Sequence, residues 1–205
     1  MSDETPADDG RTPSVIVIGG GPAGLSAALF TSKNGLETTL FDADGTWMHK
    51  AHLFNYLGIG SVGGSEFMAT ARQQVDDFGV DRHQGERVTA VTEGGDGFAV
   101  ETTEDTYETD YVVLATGANR DLAAELGCAF TDADVVDVGV DMETSVAGAY
   151  ATGAMVRPEE WQAAIAVGDG AAAALNILSS VRGERVHDFD VPDDAARVFG
   201  DLIAA

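Results

Sequence analysis

Short apolar runs near the start of the chain predict an alternation of strand and helix. The continuous run Ser14–Ile18 has the pattern of a parallel strand buried on both faces, and glycines follow it. Residues from Pro22 to Lys33 are small and helix-compatible, and the Asn34-Gly35 pair provides a stop signal. A second strand is predicted at residues 38–41. These elements predict a βαβ unit, which implies a parallel sheet with a right-handed crossover.

Short strands account for much of the middle of the chain. Three segments separated by turn residues predict an antiparallel meander, at residues 88–93, 97–103 and 106–110. Three further apolar segments predict strands at residues 111–114, 135–140 and 149–150. The predicted fold class is therefore α/β, a parallel sheet with helices on one side and a three-stranded β-meander on the other.

Apolar residues at helical spacing predict three more helices. One spans residues 65–78 with Ser65 as its cap, an Ala-rich one spans about 160–180, and a terminal amphipathic helix follows Pro192. Residues 44–64 have no clear period and predict a long functional loop with a helical turn. We predict a disordered acidic tail at residues 1–12 and a single domain over residues 13–205.

The net charge of the chain limits the kinds of molecule that it can bind. Lys and Arg total 11 against 35 Asp and Glu, which gives a formal net charge of -24. This charge argues against a nucleic-acid partner, because a phosphate backbone would be repelled. The excess of acids is spread along the chain, and we interpret it as adaptation of a halophilic protein to a salt-rich cytoplasm. The alternative is a very soluble acidic protein.

Several kinds of chemistry are excluded by composition. Cys128 is the single cysteine, so the chain cannot form an internal disulfide or a CxxC pair, and we predict no metal site. We interpret Cys128 as a small buried hydrophobe. The N-terminus has no apolar signal segment, and the Ala-rich stretch 161–178 is shorter than the ~20 residues that span a bilayer. We therefore expect a cytoplasmic protein that crosses no membrane.

The glycine turn between the first strand and the first helix carries the clearest chemical signal. It has the pattern GxGxxG and reads Gly19, Gly20, Gly21, Pro22, Ala23, Gly24. In such turns Gly19 would make the tight bend, Gly21 would let a pyrophosphate approach the backbone, and Gly24 would let the helix pack closely. Asp42 ends the second strand, where it can bind ribose hydroxyls, and the helix beginning at Pro22 offers N–H groups to the diphosphate. The turn predicts a dinucleotide site, and a glycine turn without ligand is the alternative.

Several other segments resemble the FAD domain of thioredoxin reductases, which are flavoproteins with two dinucleotide-binding domains. They are NYLG at residues 55–58, ATG at 115–117 and 151–153, TSVAG at 144–148, and the segment from WQA to GDG at 161–170. The resemblance covers most of the chain. It implies a Rossmann-like FAD-binding domain that holds one FAD in extended form across the carboxyl ends of the strands.

The resemblance also implies which residues contact the cofactor. Gly45, Thr46 and Asn55 are expected to border the isoalloxazine and the ribityl chain. The helix that begins at Gln162 and Ala163 is expected to aim its N-terminus at flavin N1 and the C2 carbonyl, where it would stabilise the reduced anion by ~0.3–2 kcal/mol. The other expected contacts are Val88, Ala115, Thr116, Gly117, Gly153, Ala154 and Trp161.

Departures from the family restrict the function that the resemblance implies. Thioredoxin reductases insert an NADPH domain with the CxxC after the first ATG, whereas here residues 119–121 are followed within a few residues by 131–133. The family mechanism of thioredoxin reduction is therefore not expected. Ala154 stands where the family has an aspartate that binds the ribityl chain, and Trp161 stands where it usually has arginine.

Two pairs of residues have a functional and an ordinary interpretation. His49 and His52 lie in the loop expected near the flavin and could donate a proton, with solvated loop histidines as the alternative. Gly168 and Gly170 cost the Ala-rich helix ~1 kcal/mol each in propensity, so we interpret them as points of close approach to the sheet or cofactor. The alternative is a loosely packed Ala-rich helix in which these glycines have no packing role.

The leading hypothesis is a minimal FAD-dependent oxidoreductase that passes electrons between an external donor and an unknown acceptor, without dithiol chemistry. The missing NADPH domain implies that the donor docks on an exposed flavin face, as NAD(P)H, a ferredoxin-like protein or a separate subunit. Two alternatives are a flavin-loaded sensor or electron-transfer subunit without turnover, and a structural subunit without cofactor. The missing domain also uncovers surface, so we consider a homodimer.

Overall fold

A five-stranded parallel sheet forms the centre of the protein in a computed structural model that describes residues 11–199. From one edge to the other, its strands are Ala149–Ala151 (β10), Tyr111–Leu114 (β9), Ser14–Ile18 (β1), Glu37–Asp42 (β2) and Asp81–Gln84 (β5). Every neighbouring pair in this sheet is parallel. The strand order reverses direction at β1, so β1 and β9 border a crevice at their carboxyl ends.

Helices and two small antiparallel sheets complete the fold. The helices are Pro22–Lys33 (α1), Gly64–Asp77 (α2), Asp121–Glu125 (α3), Ala163–Arg182 (α4) and Ala195–Phe199 (α5). A hairpin pairs His52–Leu53 (β3) with Val62–Gly63 (β4), and a meander contains Val88–Gly94 (β6), Gly97–Thr102 (β7) and Thr106–Thr109 (β8). Single 3₁₀ turns occur at Trp47–Lys50, Gly153–Val156 and Pro192–Asp194.

The strands of the parallel sheet are buried on both faces because each face has its own cover. Successive side chains of a strand point to opposite sides. On β1, Val15 and Val17 therefore pack with the buried residues of α1 and α4, while Ile16 and Ile18 pack with the meander. This arrangement confirms the predicted α/β class, with helices on one side of the sheet and a three-stranded meander on the other.

Helices α1 and α4 pack closely because one glycine of α4 has no side chain. A Cβ at Gly170 would overlap the carbonyl oxygen of Ala23, whereas a Cβ at Gly168 would meet nothing within 4 Å. The hydroxyl of Ser26 also donates to the carbonyl of Val167 at 2.8 Å. The interpretation of close approach therefore holds for Gly170 and is wrong for Gly168.

The Ala-rich helix predicted at about 160–180 is observed as α4, which extends beyond the stretch 161–178 that is by itself shorter than a membrane span. Its 20 residues, with a mean hydropathy of 1.5, would be enough to cross a membrane by length and composition, and among residues 11–199 it is the one helix that meets this test. In this fold α4 packs on α1, and its buried Asp169 accepts hydrogen bonds from Arg157 at 2.6 and 3.0 Å. Core helices of globular domains commonly meet the same test.

Two predicted elements differ from the structure. Helix α2 begins at Gly64 and has Gly63 at its N-cap, so the prediction of Ser65 as the cap is wrong. The predicted strand 135–140 is absent from the described fold, where Val136 forms an isolated bridge with Phe130 and donates to the carbonyl of Met155 at 3.1 Å. Val135 and Val136 anchor a connecting loop to the core and do not join a strand ladder, whereas Val140 is exposed.

Strand β5, helix α3 and the hairpin of β3 and β4 were not predicted, and two predictions fall partly outside the described residues. Strand β5 has the sequence DRHQ, whose polar side chains suit an edge strand that pairs on one side. Helix α3 is five residues long and too short for a periodic signal. The predicted terminal helix is observed as α5. Residues 200–205, and residues 1–10 of the predicted tail, lie outside the described residues.

Candidate functional site

A cavity of about 820 Å³ lies at the carboxyl ends of the central strands. Its wall contains Ile18 and the glycine turn after β1, Phe41 and Asp42 at the end of β2, and Ala115 directly after β9. Thr152 follows β10 at the same edge. This volume is in the range of small-molecule and cofactor sites, and the position is the one where open α/β sheets bind ligands.

The glycines of the turn serve two different purposes. Gly19 has a φ of +114°, and a Cβ there would collide with the carbonyl of Ala115. A Cβ at Gly24 would collide with the carbonyl of Gly19, so these two glycines are needed for the fold itself. A Cβ at Gly21 would meet the Thr46 hydroxyl at 3.7 Å and no nearer atom, which leaves an open cradle on the cavity side. A pyrophosphate fits this cradle because the backbone is bare there.

Two helix N-termini meet at this cavity. Helix α1 begins at Pro22 after Gly21, and α4 begins at Ala163 after Gln162; all four residues line the cavity. Among residues 11–199, no side chain accepts a hydrogen bond from the first turn of either helix as its cap. Free N–H groups and the positive ends of two helix dipoles therefore face the same space, which favours an anionic ligand at two points.

Asp42 is buried in the cavity wall and is held by two hydrogen bonds. Its Oδ2 accepts from Arg72 at 2.8 Å, and its Oδ1 accepts from the backbone N–H of Asp44 at 2.7 Å. Arg72 also donates to the Asp44 carboxylate at 2.6 Å. A carboxylate has about four acceptor positions, so Asp42 keeps capacity for a ligand. Its contact with a ribose stays a prediction. Gly20 makes room for Asp42, because a Cβ there would overlap its carboxylate.

Arg72 is a site residue that the sequence did not reveal. It lies on α2, 30 residues after Asp42 in the chain, and the crossing of α2 over the end of β2 brings the two together. Its side chain is largely buried and carries the positive charge nearest to Asp42. No motif marks an arginine at this distance, so the signal exists in the tertiary structure alone.

The two histidines predicted as proton donors lie outside the cavity wall. His49 contacts Asp44 through Nε2 at 2.9 Å and Ser65 through Nδ1 at 3.1 Å. The hydrogen bonds from Arg72 and then from His49 lower the pKa of Asp44. His52 contacts Ser61 at 2.9 Å and stacks on the ring of Phe54. The structure does not bring either imidazole to the cavity, so we do not carry their catalytic role further.

Two tryptophans stand at the other end of the cavity, beside the start of α4. The rings of Trp47 and Trp161 are 5.3 Å apart, and both line the cavity while remaining partly exposed. The indole N–H of Trp161 donates to the carbonyl of Arg157 at 2.9 Å, which fixes the ring. Asn55 donates to the side-chain oxygen of Gln162 at 2.7 Å, so the loop after β3 is attached to the start of α4.

A contact between His83 and the buried Glu86 supports the cavity wall between β5 and β6. Glu86 lines the cavity and accepts from His83 at 2.7 Å. The hydroxyl of Thr102 lowers the pKa of Glu86, burial opposes this, and His83 lowers it further. Burial would lower the pKa of His83, but its hydrogen bonds to Asp81 and Glu86 outweigh burial and raise it. Glu86 therefore stays ionised next to Val88, at the start of the meander.

The cavity brings together most of the residues predicted as cofactor contacts. Those in its wall are Gly19, Gly21, Pro22, Ala23, Asp42, Gly45, Thr46, Val88, Ala115, Thr116, Gly117, Gly153, Ala154, Trp161, Gln162 and Ala163. Gly24 lies beneath the turn, and Asn55 lies beside the wall through its bond to Gln162. Wall residues that were not predicted include Met48, Glu86, Leu122, Glu160 and Ile165. The individual contacts with a cofactor stay predictions.

The segment that connects the two ATG motifs is packed against the rest of the domain. Arg120 donates to the carbonyls of Met155 at 3.0 Å, Ala118 at 3.3 Å and Ala154 at 3.4 Å, which joins the first ATG loop to the turn after the second. Leu122 and Leu126, on and just after α3, are buried in the core between the sheet and the meander. A compact linker therefore occupies this position in the chain.

The fold and the site together define a class of protein. A doubly covered parallel sheet with a glycine turn, an acidic residue at the end of the second strand and two helix N-termini at one cavity is a Rossmann-like dinucleotide-binding domain. The chain belongs to the pyridine nucleotide-disulphide oxidoreductase family, whose model matches residues 13–63 and 58–168. Homologues in this family are FAD-binding flavoproteins, and the cradle at Gly21 fits the dinucleotide, so we identify the cofactor as FAD.

Curated relatives share part of the sequence, and solved structures share the fold. The thioredoxin reductase of Listeria monocytogenes is 31% identical over 117 residues, which are 56% of this chain and 36% of that protein. The chain thus spans about a third of the length of the curated relatives that it matches. The structure of a thioredoxin reductase from Gloeobacter violaceus superposes with a TM-score of 0.77 and 18% identity, covering 88% of this chain and 99% of that one. The structure of a ferredoxin-flavin thioredoxin reductase from Clostridium acetobutylicum superposes with a TM-score of 0.72 and 18% identity. The match covers 85% of this chain and 100% of that one.

Proposed function

We propose that this protein is a minimal FAD-dependent oxidoreductase that passes electrons between an external donor and an external acceptor without dithiol chemistry. The observation that carries the proposal is the meeting of two helix N-termini at one cavity, with an open backbone cradle at Gly21, the N-cap of α1. One helix begins early in the chain and the other late, so their convergence is a property of the fold. Family membership supports the flavin-dependent redox activity.

The residues of this chain have three tasks in the proposed function. Bound FAD supplies the redox chemistry. The turn at Gly21 and the start of α1 would hold the diphosphate through backbone N–H groups, and Asp42, fixed by Arg72, would hold the adenosine ribose. The start of α4 places partial positive charge where Ala163 lines the cavity, which would favour added negative charge by ~0.3–2 kcal/mol.

The donor and the acceptor are proposed to be external because the chain has no internal redox partner. Cys128 is buried, burial raises the pKa of its thiol, and one cysteine cannot form a dithiol. The linker around Arg120 and α3 occupies the position where the resemblance implies an NADPH domain. The names of the similar proteins support the choice of donors to test, since one of them is a ferredoxin-flavin enzyme. We further propose a salt-rich cytoplasm as the location, from the net charge of -24.

The proposal is tested by the flavin content of the purified protein and by its reduction. We expect a yellow protein that releases FAD on denaturation, identified by chromatography. Anaerobic titration with NADH, NADPH and reduced ferredoxin in turn, followed by visible absorption, should bleach the flavin with at least one donor. A bound flavin that stays oxidised with all three donors would contradict the oxidoreductase assignment.

One observation favours a second function, a flavin-loaded sensor or electron-transfer subunit without turnover. Ala154 lines the cavity at the position where the resemblance implies an aspartate on the ribityl chain, so one polar contact is missing. The same titration separates the two functions. A sensor would be reduced once without sustained oxidation of the donor when an acceptor is added, and a purely structural subunit would contain no flavin.

A further inference from the structure

The chain has two tryptophans, and both lie at the cavity. Trp47 and Trp161 line its wall with their rings 5.3 Å apart and tilted by 58°, although they are far apart in the sequence. Their exposed fractions are 60% and 43%, so each ring keeps uncovered apolar surface. Cofactor sites are commonly lined by aromatic side chains of this kind, because a large ring gains much by being covered. The pair therefore indicates a ligand that packs on indole rings.

Contacts within the protein hold both tryptophans in place. The indole N–H of Trp161 donates to the carbonyl of Arg157 at 2.9 Å, and the Arg157 side chain is itself held by the buried Asp169 of α4. Trp47 begins a 3₁₀ turn that packs against the start of α2, where a Cβ at Gly64 would overlap the backbone of that turn. A preformed pair of rings favours binding, because little side-chain freedom is lost when the ligand arrives.

The other aromatic residue of the cavity wall is already covered. Phe41, near the end of β2, is 1% exposed and packs on His83 and Tyr107, with ring centroids 4.9 Å apart in both contacts. Within the described residues, the tryptophan pair is therefore the only aromatic surface that the wall offers to a ligand.

The pair suits a flat ring better than the polar parts of a dinucleotide. The N–H of Trp161 is already used, and indole faces bind through stacking and edge contacts. The backbone cradle at Gly21 suits the diphosphate, and the carboxylate of Asp42 suits a ribose. Because the two indole rings are tilted by 58°, one can stack on a planar ligand while the other contacts its edge.

The isoalloxazine ring of FAD matches the pair better than a smaller ring does. Trp161 directly precedes Gln162, the N-cap of α4, so a ring held by Trp161 would lie beside the positive end of that helix. The N1–C2=O edge of isoalloxazine gains negative charge on reduction, and adenine has no such edge. Isoalloxazine has three fused rings, so it offers more stacking area than the single ring of nicotinamide.

We propose that Trp47 and Trp161 form the aromatic site for the isoalloxazine ring, and that this pair makes the cavity select FAD over dinucleotides with a smaller ring. The glycine turn and Asp42 suit the parts that FAD shares with such dinucleotides, so they do not provide this selection. The inference rests on the proposed function only for the place of the flavin ring beside the start of α4.

Displacement of FAD from the flavin-loaded protein, with free FAD in excess, measures this selection. ADP and NAD⁺ are the competitors, because both contain adenosine and diphosphate and lack isoalloxazine. Trp161→Leu should lose FAD at about tenfold lower concentrations of either competitor, because the stacking contact is lost. Trp161→Phe keeps a ring and should stay within about threefold of the parent. Phe189→Leu is the control and should change nothing, because Phe189 is 73% exposed and lies outside the cavity wall.

Fluorescence of the oxidised flavin identifies the ring that the tryptophans contact. Indole in contact with isoalloxazine quenches flavin emission, so the bound flavin of the parent should be nearly dark. The double variant Trp47→Leu, Trp161→Leu should make the bound flavin several times brighter. High anisotropy of the emission distinguishes bound flavin from FAD that has been released.

Either of two results would overturn the proposal. One is unchanged displacement in Trp161→Leu, because a stack on adenine, or a general loosening of the site, weakens the binding of FAD and of its competitors equally. The other is bound flavin that is equally bright with and without the tryptophans. Both measurements use oxidised flavin without an electron donor. A failure of the proposed function, seen as flavin that no donor reduces, is therefore distinguished from a failure of this inference.

Discussion

Glycine is required at neighbouring positions of the turn after β1 for unrelated physical reasons. At Gly19 and Gly24, a side chain would strike the backbone of the protein itself. At Gly21 it would enter the space in front of α1, where the protein leaves room. The motif alone assigns these roles by analogy with other Rossmann turns, whereas the contacts around each Cβ show which role belongs to which glycine.

Replacing Gly21 should therefore separate cofactor binding from folding. Gly21 has a φ of -80°, which any residue adopts, so Gly21→Val should fold with a free energy of unfolding within about 1 kcal/mol of the flavin-free parent. Its branched side chain would fill the cradle, and the protein should be colourless. Flavin absorbance and urea unfolding measure the two effects. Gly24→Val is the control, expected to lose about 3 kcal/mol or more through backbone collision. Full flavin content in Gly21→Val would remove the assignment of the cradle.

The ion pair of Arg72 and Asp42 leads to a second prediction for single residues. Asp42 is 2% exposed, so Arg72→Met would leave a buried carboxylate without its cation and cost about 3 kcal/mol of stability. FAD affinity should also fall, because the carboxylate predicted to bind the ribose would lose its fixed orientation. Arg82→Met is a matched control: its partner Asp76 is more exposed, and the expected cost is below about 1 kcal/mol. Similar unfolding curves for the two variants would contradict a special role for Arg72.

Elements packed against one another explain what periodicity could not show. Helices α1 and α4 are 130 or more residues apart in the chain, yet their N-termini line the same cavity because the two helices cover the same face of the sheet. Strand β5 was not predicted because an edge strand needs little apolar character. Residues 135–140 were predicted as a strand because Val135, Val136 and Val138 pack on the core from a loop. A hydrophobic pattern in the sequence indicates which residues are buried. It does not show whether a buried segment is a strand or a loop, and it does not reveal an exposed edge strand.

The two glycines inside α4 provide a matched pair at the scale of helix packing. Gly170→Ala should cost about 1–3 kcal/mol and reduce flavin retention, because its Cβ would overlap the carbonyl of Ala23 and move the two helices apart. Gly168→Ala should stabilise the protein by about 0.5–1 kcal/mol, because its Cβ meets nothing and alanine favours the helix. Thermal unfolding and flavin content measure both changes. Equal effects at the two positions would contradict the packing described here.

At the scale of the whole molecule, charge acts on stability rather than on the fold. A domain with a net charge of -24 repels itself wherever its charges are poorly screened. The two hydrophobic clusters on either face of the sheet supply most of the attraction, and salt does not screen apolar contacts as it screens charge repulsion. The balance between the two should therefore shift with ionic strength.

We expect the midpoint of thermal unfolding to rise with salt concentration. Between about 0.1 and 1 M chloride the screening length falls from ~10 to ~3 Å, which weakens repulsion between surface carboxylates. A gain of about 2 kcal/mol would appear as a rise of roughly 4–8 °C for a chain of this length. Sodium and choline chloride should act alike if screening is the cause. A midpoint that does not change over this range would contradict the interpretation of the acidic surface.

The α/β class, the βαβ start, the meander and the glycine turn are all predictable from the sequence, because each depends on residues that are close in the chain or repeat with a fixed period. Only the tertiary contacts show that α4 shares a cavity with that turn, that Arg72 holds Asp42, and that Asn55 bonds to Gln162 at the start of α4. These juxtapositions depend on how the elements cross one another in space. No local pattern encodes the contacts between residues so far apart in the chain.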